Sequence, residues 1–239
     1  MKALTARYPR LTWFVLAYCV YLCYYPVADY IAKMDRLYRN DIWLDHLIPF
    51  VPAFEVWYGF ILFFPLFGLF YIRDARYFKL AAEVVMFQYL FGYLIFLLYP
   101  VRMPRPVITE VSSYFDWLVH LNHVIDKPVN CFPSLHMACA LSIALIIYKL
   151  NPRHAVLPFI IAGLIGVSIF LVKAHTLLDG IAGVALSLFS YFLFIKPFRF
   201  HSADPEKLHR SPRVFAYVLA IYGCVLLAAY IAYRMGVLL

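Results

Sequence analysis

Two short polar stretches stand out in a chain that otherwise avoids polar side chains. Residues 131–136 read CFPSLH and residues 173–180 read KAHTLLDG. In the second, His175 and Asp179 are spaced i, i+4 at a helix start, so they share one face. A carboxylate beside an imidazole accepts the proton on one ring nitrogen, which fixes the tautomer and raises the nucleophilicity of the other nitrogen. Lys173 is a fixed positive charge nearby. In the first stretch Pro133 suits the first turn of a helix. Ser134 and the free amides around it make an anion site, and His136 adds an imidazole able to donate a proton. Upstream, RMPRP (102–106) supplies Arg102 and Arg105, whose permanent charge suits phosphate oxygens. Together these are a nucleophile with its orienter, an acid, and a cradle of Lys, Arg, Ser and amides. Phosphoryl transfer needs mainly positioning and electrostatic stabilisation of this kind. The scheme calls for no cofactor and no metal, and the sequence offers no good carboxylate cage.

The elements that must hold these residues are membrane spans. The chain has 239 residues, 65% hydrophobic and 14% charged, with mean hydropathy +0.79. Soluble domains carry about 45–50% apolar and about 25% charged residues, so the composition points to an integral membrane protein. Seven candidate spans follow, at about 11–32, 55–72, 79–100, 133–149, 155–172, 176–195 and 214–236. The first reads as a retained span, not a removable signal peptide. Between the first two spans, residues 41–54 are mixed and contain two prolines, as an interfacial or re-entrant segment would. The expected fold is an all-α, polytopic transmembrane helical bundle forming one domain over 1–239.

The net charge of +8 resides in loops that alternate onto one side. These carry Lys2, Arg7 and Arg10; Arg73, Arg76 and Lys79; Lys149 and Arg153; and Lys196, Arg199, Lys207, Arg210 and Arg213. That side should be cytoplasmic, with the N-terminus inside and both polar islands outside, at head-group depth. Membrane lipids, not nucleic acid, are the partners such a charge implies. Cys19, Cys23, Cys139 and Cys224 lie in or at the edge of apolar runs, Cys131 lies in a loop, and nothing requires a disulfide or zinc site.

FPSLH and KxHxxxDxxxG resemble the second and third motifs of the type 2 phosphatidic acid phosphatase (PAP2) superfamily, over roughly residues 45–195. The PSLH variant, after Asp126-Lys127-Pro128-Val129-Asn130-Cys131, looks more like the branch of inositol phosphorylceramide synthases and their bacterial relatives. The resemblance implies a six-helix catalytic core over about 45–196 with an extra span at about 214–236. It also implies residue roles. His175 would be the nucleophile, forming a phosphohistidine, with Asp179 as orienter. His136 would protonate the leaving group and then activate the acceptor. Ser134 and Arg105 would bind phosphate oxygens. Three motif positions depart from the pattern: Leu98 stands at the lysine, Ile169 at the arginine and Leu135 at the glycine. Arg102 and Lys173 are the replacements available to the cradle.

The reading is a metal-independent lipid phosphatase or phosphotransferase acting on a lipid phosphate ester, with water or a lipid alcohol as acceptor. The donor lipid and the oligomeric state stay open. Small size and the lack of sorting signals favour a bacterial inner membrane. The alternative is a non-catalytic scaffold or lipid transporter, although no internal repeat or symmetric pair of interrupted spans supports transport. His46, His154, His201 and His209 read as loop or interface residues, and His120 and His123 as the surface of an amphipathic helix. Gly180 and Gly183 read as points of close helix approach.

Overall fold

A computed structural model describes residues 9–199 and 209–237. Lys2, Arg7, His201 and Lys207 lie outside the described residues. The helices are α1 (Pro9–Leu22), α2 (Tyr24–Ile31), α3 (Trp43–Leu47), α4 (Glu55–Gly59), α5 (Pro65–Tyr71), α6 (Ala75–Leu98), α7 (Tyr114–Ile125), α8 (Leu135–Leu150), α9 (Val156–Leu171), α10 (Leu177–Ser190) and α11 (Arg213–Arg234). Among the described residues there is no strand, only two isolated bridges, Tyr38 with Val101 and Ile72 with His209. The protein is an all-α helical bundle.

Five stretches are long and apolar enough to cross a membrane: Pro9–Ile31, Ala75–Leu98, Pro152–Leu171, Leu177–Ile195 and Arg213–Arg234. Leu135–Leu150 is shorter but apolar. The seven expected spans are therefore five long helices, one short one and one broken segment. The broken one is the expected span 55–72. It runs as α4, a 3₁₀ turn at Phe60–Leu62, and α5. Pro65 supplies no amide donor, so it suits the first turn of a new helix and not the interior of a continuous one. The break is tolerated because the segment runs through the interior, with Phe60, Phe64, Phe67 and Tyr71 fully buried. Irregular backbone at membrane depth survives where protein covers it.

The centre of the bundle is α6, α8, α9 and α10, with α1 against α6 and α11 against α5 and α7. Its interior holds one polar knot. Gln88 Nε2 donates to Ser142 Oγ (2.6 Å) and Ser190 Oγ (3.2 Å), and Ser142 Oγ lies 2.8 Å from Ser187 Oγ. All four side chains have no exposure, so these bonds tie α6, α8 and α10 where water cannot compete.

Two glycines let α10 approach its neighbours. A Cβ at Gly183 would sit 2.5 Å from the Ser134 carbonyl oxygen and 2.9 Å from Met137 Cβ. One at Gly180 would strike the Phe170 ring. The same contact joins the two polar islands: Ser134 N donates to Asp179 O at 3.0 Å. At the far end of the bundle the basic loops meet. Tyr71 Oη bonds His154 Nδ1 at 3.0 Å, its ring stacks on His209, and Arg210 N donates to its carbonyl.

Gln88→Leu should destabilise the bundle by about 1–2 kcal/mol, the range for interhelical polar contacts in membranes. Reversible unfolding in mixed micelles, compared with wild type, measures it.

Candidate active site

His175 ends the turn after α9, where its amide and that of Ala174 both donate to the Ile169 carbonyl. Thr176 caps α10: its side chain accepts from Asp179 N, and Asp179 Oδ2 accepts from Thr176 N at 2.9 Å. This reciprocal pair satisfies two otherwise orphaned amides. It also fixes the Asp179 carboxylate, which is fully buried, against the imidazole. His175 Nδ1 lies 3.4 Å from Asp179 Oδ2 and 3.0 Å from the Cys131 carbonyl oxygen. Both partners accept, so Nδ1 carries the proton and Nε2 keeps its lone pair. Nε2 faces His136 Nδ1 at 3.4 Å. His136 occupies the first turn of α8, and its ring stacks on Tyr58 with centroids 4.5 Å apart.

A strap before the broken segment locks this arrangement. Asn40 Nδ2 donates to Asp179 Oδ1 at 2.6 Å, and Asn40 Oδ1 accepts from Thr176 Oγ1 at 3.2 Å. Asp45, itself buried, accepts from Leu177 N and Ile42 N, each at 2.8 Å. Lys173 sits at φ 57, a left-handed conformation that side-chain-bearing residues seldom adopt. Its ammonium donates to the carbonyls of Asp45 (2.8 Å) and Ile48 (2.5 Å). Residues 41–54, expected to be interfacial or re-entrant, form this strap over the start of α10.

A cavity of about 540 Å³ opens beside the two histidines. Its polar end is lined by Glu55, Tyr58, Arg105, Asp126, Asn130, Cys131, His136 and His175. Its apolar continuation follows α8 as far as Ile147, roughly 16 Å at 1.5 Å per residue, and is walled by residues such as Phe14, Tyr18, Leu118 and Leu226. An acyl or prenyl chain fits such a channel by chemistry and length. Arg105 Nη1 donates to the Asp126 carbonyl at 2.7 Å, and Nη2 pairs with the Asp126 carboxylate, which also accepts from Tyr24 Oη. Burial is the largest single influence and works against the guanidinium charge, but the charge and hydrogen bond of Asp126 together with the other neighbours act the other way, and the Arg105 pKa lies above its usual value. Burial, followed by Arg105 and His120, pushes His123 down to about 4, so His123 is neutral through the physiological range. Burial raises the Cys131 thiol well above its usual pKa.

The structure thus brings His136, His175 and Arg105 to one cavity, with Asp179 behind His175. It does not bring the rest of the expected cradle there. Lys173 is turned to the strap carbonyls. Ser134 is fully buried and its hydroxyl caps α8 by accepting from Met137 N. Arg102 is exposed and takes part through its backbone, donating to the Tyr38 carbonyl. Asn40, Asp45, Glu55 and Tyr58 stand around the candidate site and escape a motif reading, while Asp126 and Asn130 stand in the segment before PSLH with no role assigned to them there. For Glu55 a signal existed: an acid at the head of an apolar run is costly unless it serves a site. The others are joined to the histidines only by long-range contacts.

A Cys131, His175 and Asp179 group offers one sulfur, one nitrogen and one oxygen within 4.8 Å of one another. In this structure the carboxylate and Nδ1 of that group are already engaged by hydrogen bonds.

A family model described as the PAP2 superfamily matches residues 29–193. The chain belongs to the PAP2 superfamily. The matched region takes in the strap, both histidine helices and Arg105, and stops before α11. Membership carries phosphatase-type chemistry on lipid phosphates in a membrane as the coarse function. No curated protein and no solved structure matches the chain.

Lys173→Met separates an anchoring role from phosphate binding. Loss of two charge-assisted hydrogen bonds should cost about 1.5–3 kcal/mol of stability, while KM for a lipid phosphate changes less than about threefold. Thermal unfolding and steady-state kinetics on one preparation read both. A tenfold rise in KM at unchanged stability would return Lys173 to the cradle.

Proposed function

We propose that the protein transfers a phosphoryl or phospho-head group from a lipid phosphate ester through a phosphohistidine on His175. The observation that carries this reading is the orientation of His175. Its Nδ1 is held by Asp179 and the Cys131 carbonyl, leaving Nε2 as a nucleophile directed toward the cavity and His136. In the first half, Nε2 attacks phosphorus in line. The N–P bond forms as the P–O bond to the leaving group breaks, and His136 gives its proton to the leaving oxygen. In the second half the acceptor gives its proton to His136, its oxygen bonds phosphorus, and the N–P bond breaks. Asp179 stabilises the imidazolium that develops on His175.

The resting 3.4 Å between the two ring nitrogens leaves no room for a phosphoryl group. Substrate entry therefore parts the rings, with His136 sliding across the Tyr58 face. Arg105 is the cation placed to hold the phosphate oxygens, exchanging part of its contact with Asp126 for them. Arg102 and Lys173 do not take that role, and Ser134 contributes by presenting the first turn of α8.

Water and an alcohol are both chemically competent acceptors. The PSLH variant supports a place near the inositol phosphorylceramide synthase-like branch, and so favours transfer to an alcohol. The basic loops gathered at the opposite end support a cytoplasmic placement of that end, with the active site on the other face. The expected core of about 45–196 is extended at its start by Asn40, which holds Asp179, and α11 is an addition to it. A scaffold or transporter has no observation in its favour.

Purified protein offered lipid phosphates and diphosphates should release phosphate, or transfer it when lipid alcohols are added. His175→Ala should abolish turnover with the fold intact, and an active His175→Ala protein would sink the scheme. Asp179→Ala should lower kcat by about 10²–10⁴. His136→Ala should slow alkyl esters by about 10²–10⁴ but an aryl ester much less, because a good leaving group needs no proton. Brief labelling with a ³²P donor, acid-quenched against base-quenched, should trap an acid-labile adduct in wild type alone.

A further inference from the structure

The cavity contains a polar pair that the phosphohistidine scheme does not use. Glu55 and Asn130 are each only 6% exposed. Among the described residues, Glu55 Oε2 and both side-chain atoms of Asn130 find no hydrogen-bond partner. Arg105 Nε is buried and unpartnered in the same way. All three side chains line the cavity that holds His136 and His175. Leaving such groups unsatisfied is costly, and native proteins keep few of them.

Their positions relate them to the reacting centre. Glu55 lies one helical turn before Tyr58, whose ring covers His136, so both reach the cavity from one face of α4. Asn130 is adjacent to Cys131, whose carbonyl holds His175 Nδ1. The pair therefore lines the same cavity as the two histidines, Glu55 on the helix that carries Tyr58 and Asn130 next to the residue that holds His175. Asn130 offers a donor and an acceptor, Arg105 Nε a donor, and Glu55 an oxygen. A hydroxyl, which donates one hydrogen bond and accepts others, matches that set. An ammonium group, which only donates, would leave the Asn130 amide and Arg105 Nε unsatisfied.

We propose that Glu55 and Asn130 form a specificity subsite for a hydroxyl-bearing head group next to the phosphate. This rests on the reading that places the phosphate between Arg105 and His175. The hydroxyl donates to Glu55 or Asn130 Oδ1 and accepts from Asn130 Nδ2 or Arg105 Nε. It comes either with the donor, as part of its head group, or with the acceptor alcohol.

The test is binding to full-length His175→Ala protein in detergent, where turnover does not interfere. Glycerol 3-phosphate, phosphoethanolamine and inorganic phosphate are titrated calorimetrically, and free glycerol is titrated at saturating inorganic phosphate. Glycerol 3-phosphate should bind at least tenfold more tightly than inorganic phosphate. Glu55→Ala or Asn130→Ala, each in the His175→Ala background, should reduce that ratio below threefold. Glu55→Gln keeps an acceptor oxygen and should retain most of it. If one alanine variant fails to fold, the other and Glu55→Gln still decide. Binding of free glycerol beside phosphate assigns the subsite to the acceptor; preference for the ester alone assigns it to the donor. Equal affinities throughout, or a preference for phosphoethanolamine, would overturn the proposal. Wild-type turnover on lipid phosphates keeps the two readings apart. Turnover lost on His175→Ala without the hydroxyl preference removes the subsite alone. The preference without any turnover removes the phosphohistidine chemistry alone, and absence of both removes both.

Discussion

The Asp179 carboxylate is the constraint on which the site depends. A carboxylate with no exposure, near the mouth of an apolar bundle, persists only if its oxygens are filled by donors. Here the donors come from three places: Asn40 in the strap, the Thr176 amide at the start of α10, and His175 Nδ1. Satisfying one buried charge therefore orients the His175 ring, starts a helix and pins a loop that is distant in sequence. Asn40 sits 139 positions from Asp179. The backbone of Asp179 serves as well, because its carbonyl receives Ser134 N and so sets α8 against α10.

From that junction the rest of the geometry follows. Gly183 brings α10 close enough for the Ser134 contact, and α8 then delivers His136 opposite His175. The broken segment stacks Tyr58 on the His136 ring and brings Glu55 to the same cavity. A continuous lipid-facing helix through 55–72 would have used that length for bilayer contact. Its interior course instead provides one wall of a cavity with a polar end and an apolar length. Arg105 pairs with Asp126 within the same polar end, so its charge is compensated where it is buried.

The proposed trio of His136, His175 and Asp179 could be read from the sequence as one group because its signal is local. His175 and Asp179 share a helix face by spacing alone, and FPSLH carries its own helix start. The cradle was legible only in part. Lys173 sits two residues from the nucleophile, yet the left-handed turn at that position directs its ammonium to the strap carbonyls. Arg102 and Arg105 look equivalent in RMPRP, but residues 101–105 form no regular helix, and only Arg105 is drawn inward, by Asp126. Glu55 and Asn40 have no motif around them, and Asn130 borders one that assigns it no role, so their meaning depends on which other segments they meet.

The sequence by itself determined the class: an apolar, basic chain with two histidine islands makes a polytopic helical bundle with a phosphate-type site. Hydropathy and i, i+4 spacing are properties of one segment at a time, so they survive without knowledge of the fold. Tertiary structure alone decided which cations reach the cavity, which span breaks, and which polar groups share the cavity with the two histidines. Those outcomes depend on burial and long-range pairing. A buried charge or amide takes whatever partner the packed neighbours supply, and no local pattern records who those neighbours are.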